Sequence, residues 1–597
     1  MISDPVSFAQ QRMKELGFDI WPEQKEMIPP MFEALQNEGV VFVGQGPTGM
    51  GKTFVISAVT QALVDQGKRV CIAVPSYTHL NDVMGKHLKQ MGIEYKTVRG
   101  LSALESHEGC PLKDGVLPTS IFCSDSKDAI TGPESEKCST INCAVRMERA
   151  AAANSKVVLT VFHKLLSKPS MLAGFDVVIF DESHGLEATL RNFRVVRINE
   201  NHLVTLEGVV PDRKDAIGEV RRVFDRLRES GERDVPGRLV EREVVDPLKS
   251  ILKDAWENVR RGEGEQKKFV PEFVSNTLFS LRRIVDSLEY QESFRFIYHE
   301  GSLLGIPSKI AFVPFASKSA KRPSIGLISA TIENPRFHAI DSGFPNHRLA
   351  PPHQVESARL IEKRYKNRPI FGLIDGPVLR KDLGQQTTYD SARKEANKII
   401  GSIVPELKRP LLILCRNGQD AKSIEAHLKE IRDVAKRLYV FEDEGSTLEL
   451  EVVESKINKE IEAGRDIVVT TASSRLWEGA NLKHLRFLIV DALPYASPEP
   501  YERFEVSAWG SWRNSRTFRF MSRRIQQGIG RLMRTDADPW GTVIVIDGRF
   551  NAQWNTIKSA LPIYMTSPEI TRFVTRDQLN QAVLETVGRL ERLEKAN

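Results

Sequence analysis

The sequence predicts an α/β protein built from two parallel-sheet domains, and three observations support this fold class. The chain has 597 residues, of which 41% are apolar and 27% charged, proportions that allow several globular domains with sizeable cores. Apolar runs of strand length recur in both halves of the chain and alternate with stretches of helical periodicity. Two early runs end in a glycine-rich or an acidic motif, as strands do at the ligand-binding edge of a parallel sheet.

Composition also excludes several classes of protein. The longest apolar runs, such as residues 177–180, are far shorter than the roughly 20 residues of a membrane-spanning helix. The N-terminal segment has no basic stretch followed by an apolar one, so we expect no secretory signal and predict a cytoplasmic location. Six cysteines are too few for a disulfide scaffold.

The first predicted site is a phosphate-binding loop. Residues 40–43 form an apolar run typical of a buried parallel strand, and Gly46-x4-Gly51-Lys52-Thr53 follows it, ahead of a helical stretch. Backbone N–H groups of such a loop surround phosphates, and the helix N-terminus adds a favourable dipole. The flanking strand and helix disfavour the alternative, a glycine turn beside an exposed lysine.

The loop residues have separate predicted roles. Lys52 is expected to reach the β- and γ-phosphates, and the Thr53 hydroxyl is expected to hold Mg²⁺. The other loop positions predicted to bind the nucleotide are Gly46, Thr48, Gly49 and Gly51.

A second apolar run, residues 175–180, ends in Asp181-Glu182-Ser183-His184. We expect Asp181 to hold Mg²⁺ through water, and Glu182 to orient and deprotonate the attacking water. A lone Asp-Glu pair is more often a solvated strand end. After a phosphate-binding loop, however, the pair indicates the second half of a site that hydrolyses nucleoside triphosphates.

A third motif near the C-terminus supplies candidate arginines. Gln527-Gly-Ile-Gly-Arg531-Leu-Met-Arg534 places two arginines three residues apart, on one face of a predicted helix. Such arginines can reach the γ-phosphate across a cleft, and an arginine finger accelerates hydrolysis roughly 10³- to 10⁵-fold. We predict catalytic roles for Gln527, Arg531 and Arg534, although an isolated pair of this spacing is common on surface helices.

The order of these motifs resembles that of superfamily 2 helicases, and within them the iron–sulfur group containing DinG and XPD. Trp21-Pro-Glu-Gln24 resembles the adenine-reading segment of that group, and residues 181–184 resemble its Asp-Glu-Ala-His box. Ser329-Ala-Thr331 matches the motif that couples hydrolysis to DNA there. Later matches to the DinG pattern are residues 476–481, 488–491, 493–498, 527–534 and 547–550.

The resemblance implies two RecA-like motor domains with ATP between them, and an ATP-dependent DNA helicase with a DEAH-type box. It implies 5′→3′ movement on single-stranded DNA and the unwinding of duplexes or R-loops. It also implies that Gln24, Glu478 and Gly479 contribute to binding ATP.

Four of the six cysteines lie within 34 residues, in the pattern Cys110-x12-Cys123-x14-Cys138-x4-Cys143. Their position is that of the iron–sulfur insertion in the resembled group, which implies a [4Fe–4S] cluster. Four thiolates also hold Zn²⁺, and thiols without metal remain a third alternative. The remaining two, Cys71 and Cys415, lie in apolar strand runs, and we predict that both are core residues.

A second insertion follows the acidic box. It contains helical patterns such as residues 217–227, and its position is that of the arch domain in the resembled group. The predicted boundaries are 1–95, 151–191 and 324–350 for the first motor domain, 96–150 for the cysteine insertion, 192–323 for a helical arch, and 351–597 for the second motor domain.

Positive charge is concentrated near the C-terminus, although the net charge of the chain is only +6. Residues 501–534 contain eight arginines and two glutamates. Their interleaved rings and guanidinium groups are typical of single-strand binding sites. The alternative is an amphipathic helix whose rings pack inward. The residues predicted to contact nucleic acid are Trp512, Arg513, Arg516, Phe518 and Arg519.

Three hypotheses follow for the activity. The first is a monomeric DNA helicase acting on single strands, duplexes or R-loops. The second is the same motor serving as a plasmid- or CRISPR-associated DinG, recruited by a CRISPR ribonucleoprotein or a single-strand-binding protein. The third is a DNA-stimulated ATPase that clamps nucleoprotein without separating strands.

Overall fold

A computed structural model gives the fold of the chain. The residues it describes are 4–17, 19–46, 50–77, 79–99, 144–167, 169–194, 196–230, 234–261, 277–278, 281, 294–299, 301–307, 322–330, 332, 335–344, 347–355, 367–379, 386–441, 450–471, 482, 484–495, 516–530, 532, 540–558, 561 and 563–596. The chain forms two compact units, one containing Lys52–Ser329 and the other Gln354–Asn597. Within the described ranges, no helix combines the length and the apolar character that crossing a bilayer requires.

The first unit begins with five strands, and all of them except the short strand at residues 96–98 are buried along most of their length. They are β1 Val40–Gln45, β2 Val70–Val74, β3 Lys96–Val98, β4 Val157–Val161 and β5 Val177–Asp181. The helices of this part are α1 Pro5–Glu15, α2 Pro22–Leu35, α3 Lys52–Asp65, α4 Lys86–Gln90, α5 Ala144–Ala153, α6 Phe162–Ser167 and α7 Leu186–Arg194. Near-continuous apolar runs such as β2 are expected where helices cover both faces of a parallel sheet.

The insertion after α7 has its own hydrophobic core. Its helices are α8 Glu200–Val209, α9 Lys214–Ser230, α10 Gly237–Val240 and α11 Asp246–Arg261. Its strands are β6 Val196–Asn199, β7 Asp234–Val235, β8 Phe294–His299 and β9 Ser302–Pro307, paired antiparallel in the order β6-β9-β8-β7. The core lies among the helices and this sheet and includes Phe224, Leu248 and Tyr298.

The helical pattern predicted at residues 217–227 is confirmed by α9. The insertion also contains strands, which the helical patterns did not indicate and which cover one part of its core. The hairpin between β8 and β9 turns at Gly301, whose φ of +72° favours glycine.

The chain then returns to complete the first sheet. The returning elements are β10 Ser324–Ser329, α12 Pro335–Asp341, β11 Arg348–Leu349 and β12 His353–Gln354. Within the described residues the sheet has eight strands in the order β11-β1-β10-β5-β2-β4-β3, with β12 beside β1. β5 lies between β2 and β10 and is parallel to both, which places its acidic end at the centre of the sheet edge.

The second unit contains a parallel sheet of seven described strands. They are β13 Ile370–Leu373, β14 Leu411–Cys415, β15 Leu438–Val440, β16 Ile467–Thr471, β17 Phe487–Val490, β18 Thr542–Val545 and β19 Thr571–Val574. Their order is β15-β16-β14-β17-β18-β13-β19, and every neighbouring pair is parallel. The predicted fold class, two parallel-sheet domains of the RecA-like kind, is therefore confirmed.

Helices cover both faces of this second sheet. They are α13 Gln386–Ile403, α14 Gly418–Lys429, α15 Arg432–Ala435, α16 Leu450–Glu462, α17 Arg516–Gly530, α18 Arg549–Ala552, α19 Trp554–Ile557, α20 Ile563–Thr566 and α21 Arg576–Ala596. Two hydrophobic clusters result, one on each face. Cys71 of the first sheet and Cys415 of the second are both fully buried, as predicted, and burial raises the pKa of each thiol.

A buried ion pair fixes the end of β17 in the second unit. Both terminal nitrogens of Arg393 donate to the carboxylate of Asp491 at 2.6 Å, and Arg393 Nε donates to Asn397 Oδ1 at 2.9 Å. Burial raises the pKa of Asp491, while Arg393 opposes that effect. Arg393 therefore neutralises a buried carboxylate that would destabilise the fold if it had no partner.

We expect Arg393→Leu to lower the free energy of unfolding by about 3–5 kcal/mol, because Asp491 would lose its buried partner. The measurement is chemical denaturation. A matched control is Arg576→Leu, which breaks exposed contacts with Asp375 and Glu395 and should cost about 1 kcal/mol or less. Equal losses of unfolding free energy in the two variants would contradict a stabilising role for the buried Arg393–Asp491 pair.

Candidate nucleotide-hydrolysis site

The phosphate-binding loop connects β1 to α3 as predicted from the sequence. Gly51 has φ +81°, a left-handed conformation that favours glycine at this position. Lys52 begins α3 and is only 8% exposed, while Thr53 beside it is half-buried. Gly46 follows β1, and Thr48 and Gly49 lie outside the described residues.

The acidic box follows β5 in a strained turn. Asp181 is the last residue of the strand and is 1% exposed. Glu182 has φ +50° and ψ +44°, a left-handed conformation that costs a residue with a side chain roughly 1–3 kcal/mol. Its backbone N–H donates to Asp181 Oδ1 at 2.9 Å, which helps to hold the turn. Such strain is stored where surrounding contacts determine the backbone.

Opposite charges meet at Glu182. Lys52 Nζ lies 3.7 Å from Glu182 Oε1, longer than a hydrogen bond, and His184 Nδ1 lies 3.3 Å from Oε2. Burial favours the neutral carboxyl, but Lys52, His184 and His79 outweigh it and hold the pKa of Glu182 below its usual value. Glu182 is therefore an ionised acceptor near neutral pH. Its side chain remains 30% exposed, so water can reach it.

Asp181 has a partner that the sequence analysis did not identify. His79 Nε2 lies 2.9 Å from Asp181 Oδ2, and His79 belongs to the π-helical turn His79–Gly85 that follows β2. Burial lowers the pKa of His79, but the hydrogen bond and charge of Asp181 outweigh burial and raise it. The signal that could have identified His79 is its position just after β2, because β2 is adjacent to β5 and ends at the same sheet edge.

Two hydrogen bonds connect the acidic box to the chain around Ser329. His184 Nδ1 lies 2.8 Å from the hydroxyl of Ser329, at the end of β10. The hydroxyl of Ser183 lies 2.9 Å from His338 Nε2, on α12. The resemblance had singled out Ser329, whereas no sequence motif indicated His338.

Gln24 occupies a structural position at the start of α2. Its Oε1 accepts a hydrogen bond from the Trp21 backbone N–H at 2.9 Å, and the side chain is 3% exposed. This contact satisfies a backbone donor at the helix N-terminus. Its predicted contact with adenine stays a prediction.

The structure corrects one predicted nucleic-acid contact. Phe518 lies on α17 and is 1% exposed in the core of the second unit, together with Met521 and Ile525. These residues share one helical face, so the alternative of inward-packed aromatics is right for Phe518, and a base contact is wrong for it. Phe520 is the exposed ring of this helix, and the Arg524 guanidinium lies 5.0 Å from its centroid.

Several predicted residues have no described position. Those outside the described residues are Cys110, Cys123, Cys138, Cys143, Glu478, Gly479, Trp512, Arg513, Arg531 and Arg534. Arg516, Arg519 and Gln527 lie on α17, where Gln527 is half-buried. Among the described residues, no group of three or more His, Cys, Asp or Glu side chains forms a metal site. The iron–sulfur cluster therefore stays a prediction.

Comparisons with known proteins agree with this architecture. Residues 400–567 match the family described as helicase C-terminal domain, and residues 18–207 match the family described as type III restriction enzyme, res subunit. A probable ATP-dependent helicase from Methanocaldococcus jannaschii is 22% identical over 634 aligned positions, which cover 89% of this chain and 92% of that protein.

Solved structures show the same fold. An XPD helicase superposes with a TM-score of 0.60 at 17% identity, covering 93% of this chain and 100% of that one. Xpd4 from S. tokodaii superposes with a TM-score of 0.59 at 15% identity, covering 92% and 99%. With the family matches, these similarities confirm the predicted resemblance to XPD/DinG-like superfamily 2 helicases.

We expect Glu182→Gln to lower the kcat of ATP hydrolysis about 10²- to 10⁴-fold, because an amide cannot accept the proton of the attacking water. Lys52→Ala should abolish hydrolysis through loss of the phosphate contact. The measurement is phosphate release at saturating ATP. Glu219→Gln, on the exposed side of α9, is the control and should match the unaltered protein. Ordinary turnover by Glu182→Gln would remove Glu182 from the catalytic assignment.

Proposed function

We propose that this chain, which has the fold of the XPD helicases, is an ATP-dependent helicase that moves 5′→3′ on single-stranded DNA and unwinds duplexes or R-loops. The family matches and the fold support the coarser statement, an ATP-dependent helicase. The observation that carries the chemistry is the pairing of buried Lys52 with partly exposed Glu182 beside Asp181, at the end of the phosphate-binding loop and of β5.

The residues of the first sheet fit MgATP. The Thr53 hydroxyl and the Asp181 carboxylate are oxygen donors of the kind that Mg²⁺ prefers, and they are the groups that would hold it. The metal would supply neutralisation of charge on the phosphates. Lys52 would hold the β- and γ-phosphates, since its ammonium lies too far from Glu182 for a hydrogen bond.

In this proposal, the pKa of Glu182 changes when the nucleotide binds. Without nucleotide, the nearby charge of Lys52 keeps the pKa of Glu182 low, so the carboxylate is a weak base that orients water. Phosphate bound to Lys52 would compete for that charge, and the pKa of Glu182 would rise. The carboxylate would then become a better proton acceptor when the substrate is present.

The second unit would contribute arginines to hydrolysis. We propose that Gln527, Arg531 and Arg534 act on the γ-phosphate, as the resemblance implies. Glu478 and Gly479 would complete the nucleotide site.

A basic segment would bind the DNA backbone. Arg516 and Arg519 lie on α17, and Trp512 and Arg513 precede it in sequence. Contacts of arginine with phosphates would provide affinity without base specificity, and binding would weaken as salt rises. The exposed ring of Phe520 takes the stacking role that Phe518 cannot have.

We expect ATP-dependent strand separation of a duplex with a 5′ single-stranded tail and none of a duplex with a 3′ tail. The measurement is a fluorescence unwinding assay with both substrates, and Lys52→Ala is the control for ATP dependence. Unwinding only of the 3′-tailed duplex would contradict the polarity. Stimulated hydrolysis without unwinding would favour the ATPase clamp or recruitment by a CRISPR ribonucleoprotein.

We propose that Cys110, Cys123, Cys138 and Cys143 hold a [4Fe–4S] cluster. Anaerobically purified protein should absorb broadly in the visible range and contain iron and sulfide, and Cys138→Ser should lose both, because a thiolate ligand is missing. Ser139→Ala, beside that ligand, should retain them. Stoichiometric zinc in colourless protein would establish the alternative metal. The cytoplasmic location and monomeric state stay predictions.

A further inference from the structure

The acidic box departs from the resembled group at its third residue. Residues 181–184 are Asp-Glu-Ser-His, whereas that group has Asp-Glu-Ala-His. The hydroxyl that distinguishes Ser183 from alanine is fully buried and lies 2.9 Å from His338 Nε2. Serine in place of alanine at position 183 therefore allows a hydrogen bond to His338 that an alanine side chain could not form.

His338 is a buried histidine that lies far from the acidic box in sequence. It lies on α12, is 3% exposed and belongs to a segment 155 residues away from Ser183 in sequence. A buried imidazole and a buried hydroxyl each require a hydrogen-bond partner. Ser183 and His338 provide a partner for each other through the hydrogen bond between Oγ and Nε2.

The contact adjoins the most strained residue of the hydrolysis site. Glu182 is left-handed and lies between Asp181, which accepts from its backbone N–H, and Ser183. The next residue, His184, contacts Ser329. Two hydrogen bonds therefore hold the C-terminal side of the turn, one to the end of β10 and one to α12. Removal of either hydrogen bond allows the backbone of Glu182 to relax toward ordinary φ and ψ angles.

We propose that Ser183 and His338 are positioning residues that hold the Glu182 carboxylate in place for ATP hydrolysis. The proposal rests on the proposed function and extends the hydrolysis site to α12. Neither residue touches the nucleotide in this role. Their hydrogen bond acts through the backbone of Glu182, so it should affect the chemical step and not the binding of ATP.

The test is the kcat and KM for ATP of four variants. Ser183→Ala and His338→Leu each remove the bond and should lower kcat about fivefold, the equivalent of one hydrogen bond, with KM unchanged. The double variant should lose no more than either single one, because both remove the same contact. His338→Gln, whose amide can still reach Ser183, should recover most of the rate.

Thr189→Val is the matched control, because it removes a hydroxyl that donates to the Gly185 carbonyl at 2.9 Å just beyond the box. It should leave kcat unchanged, and its thermal midpoint shows what loss of one local hydrogen bond does to folding. Alanine at position 183 is the residue of the resembled group, so Ser183→Ala is expected to fold.

The outcomes separate the two proposals. Absence of ATP hydrolysis in the unaltered chain would overturn the proposed function and this inference with it. Normal hydrolysis in the unaltered chain and in Ser183→Ala would overturn the inference alone. Additive losses in the double variant, or an equal loss in His338→Gln and His338→Leu, would also overturn it, since they indicate independent packing effects.

Discussion

The left-handed turn at Glu182 is the constraint on which the hydrolysis site depends. A backbone in an ordinary extended or helical conformation at this position would direct the Glu182 carboxylate elsewhere. The turn instead directs it to within 3.7 Å of Lys52, and contacts from Asp181, Ser183 and His184 hold this conformation. The parallel arrangement of β5 with β2 and β10 makes this possible, since it gathers these groups at one edge.

The two parallel sheets use charge at their edges in different ways. In the first sheet, Lys52 and Glu182 attract each other without a direct hydrogen bond, so both remain available to a substrate. In the second, Arg393 and Asp491 form two bonds at 2.6 Å and are almost completely buried. Charged groups whose hydrogen bonds are all made with each other stabilise the fold, whereas charged groups that do not hydrogen-bond to each other can still bind a ligand. Among the described residues, the first edge therefore presents charges that a ligand can contact, whereas the two charges at the second edge neutralise each other.

Local patterns predicted most of the fold, because they act over a few residues. The strand runs at β1, β5 and β14 and the loop between β1 and α3 follow from neighbouring residues alone. The contacts of His79 and His338 could not be predicted in this way, since they depend on how distant segments of the chain pack together. The sheet in the insertion was missed for the same reason. At α17, spacing indicated a helix with buried rings, but only its packing showed that Phe518 is inside and Phe520 outside.

Similarity and geometry support different parts of the functional argument. At 17% identity, superposition on an XPD helicase establishes how the chain is folded but not which side chains act. The contacts among Lys52, Asp181 and Glu182 provide that further information, because they bring one cation and two carboxylates together at one sheet edge. A fold alone is compatible with many activities. A fold of this kind with these three charges in place is compatible with far fewer, and the proposed hydrolysis of ATP uses all three.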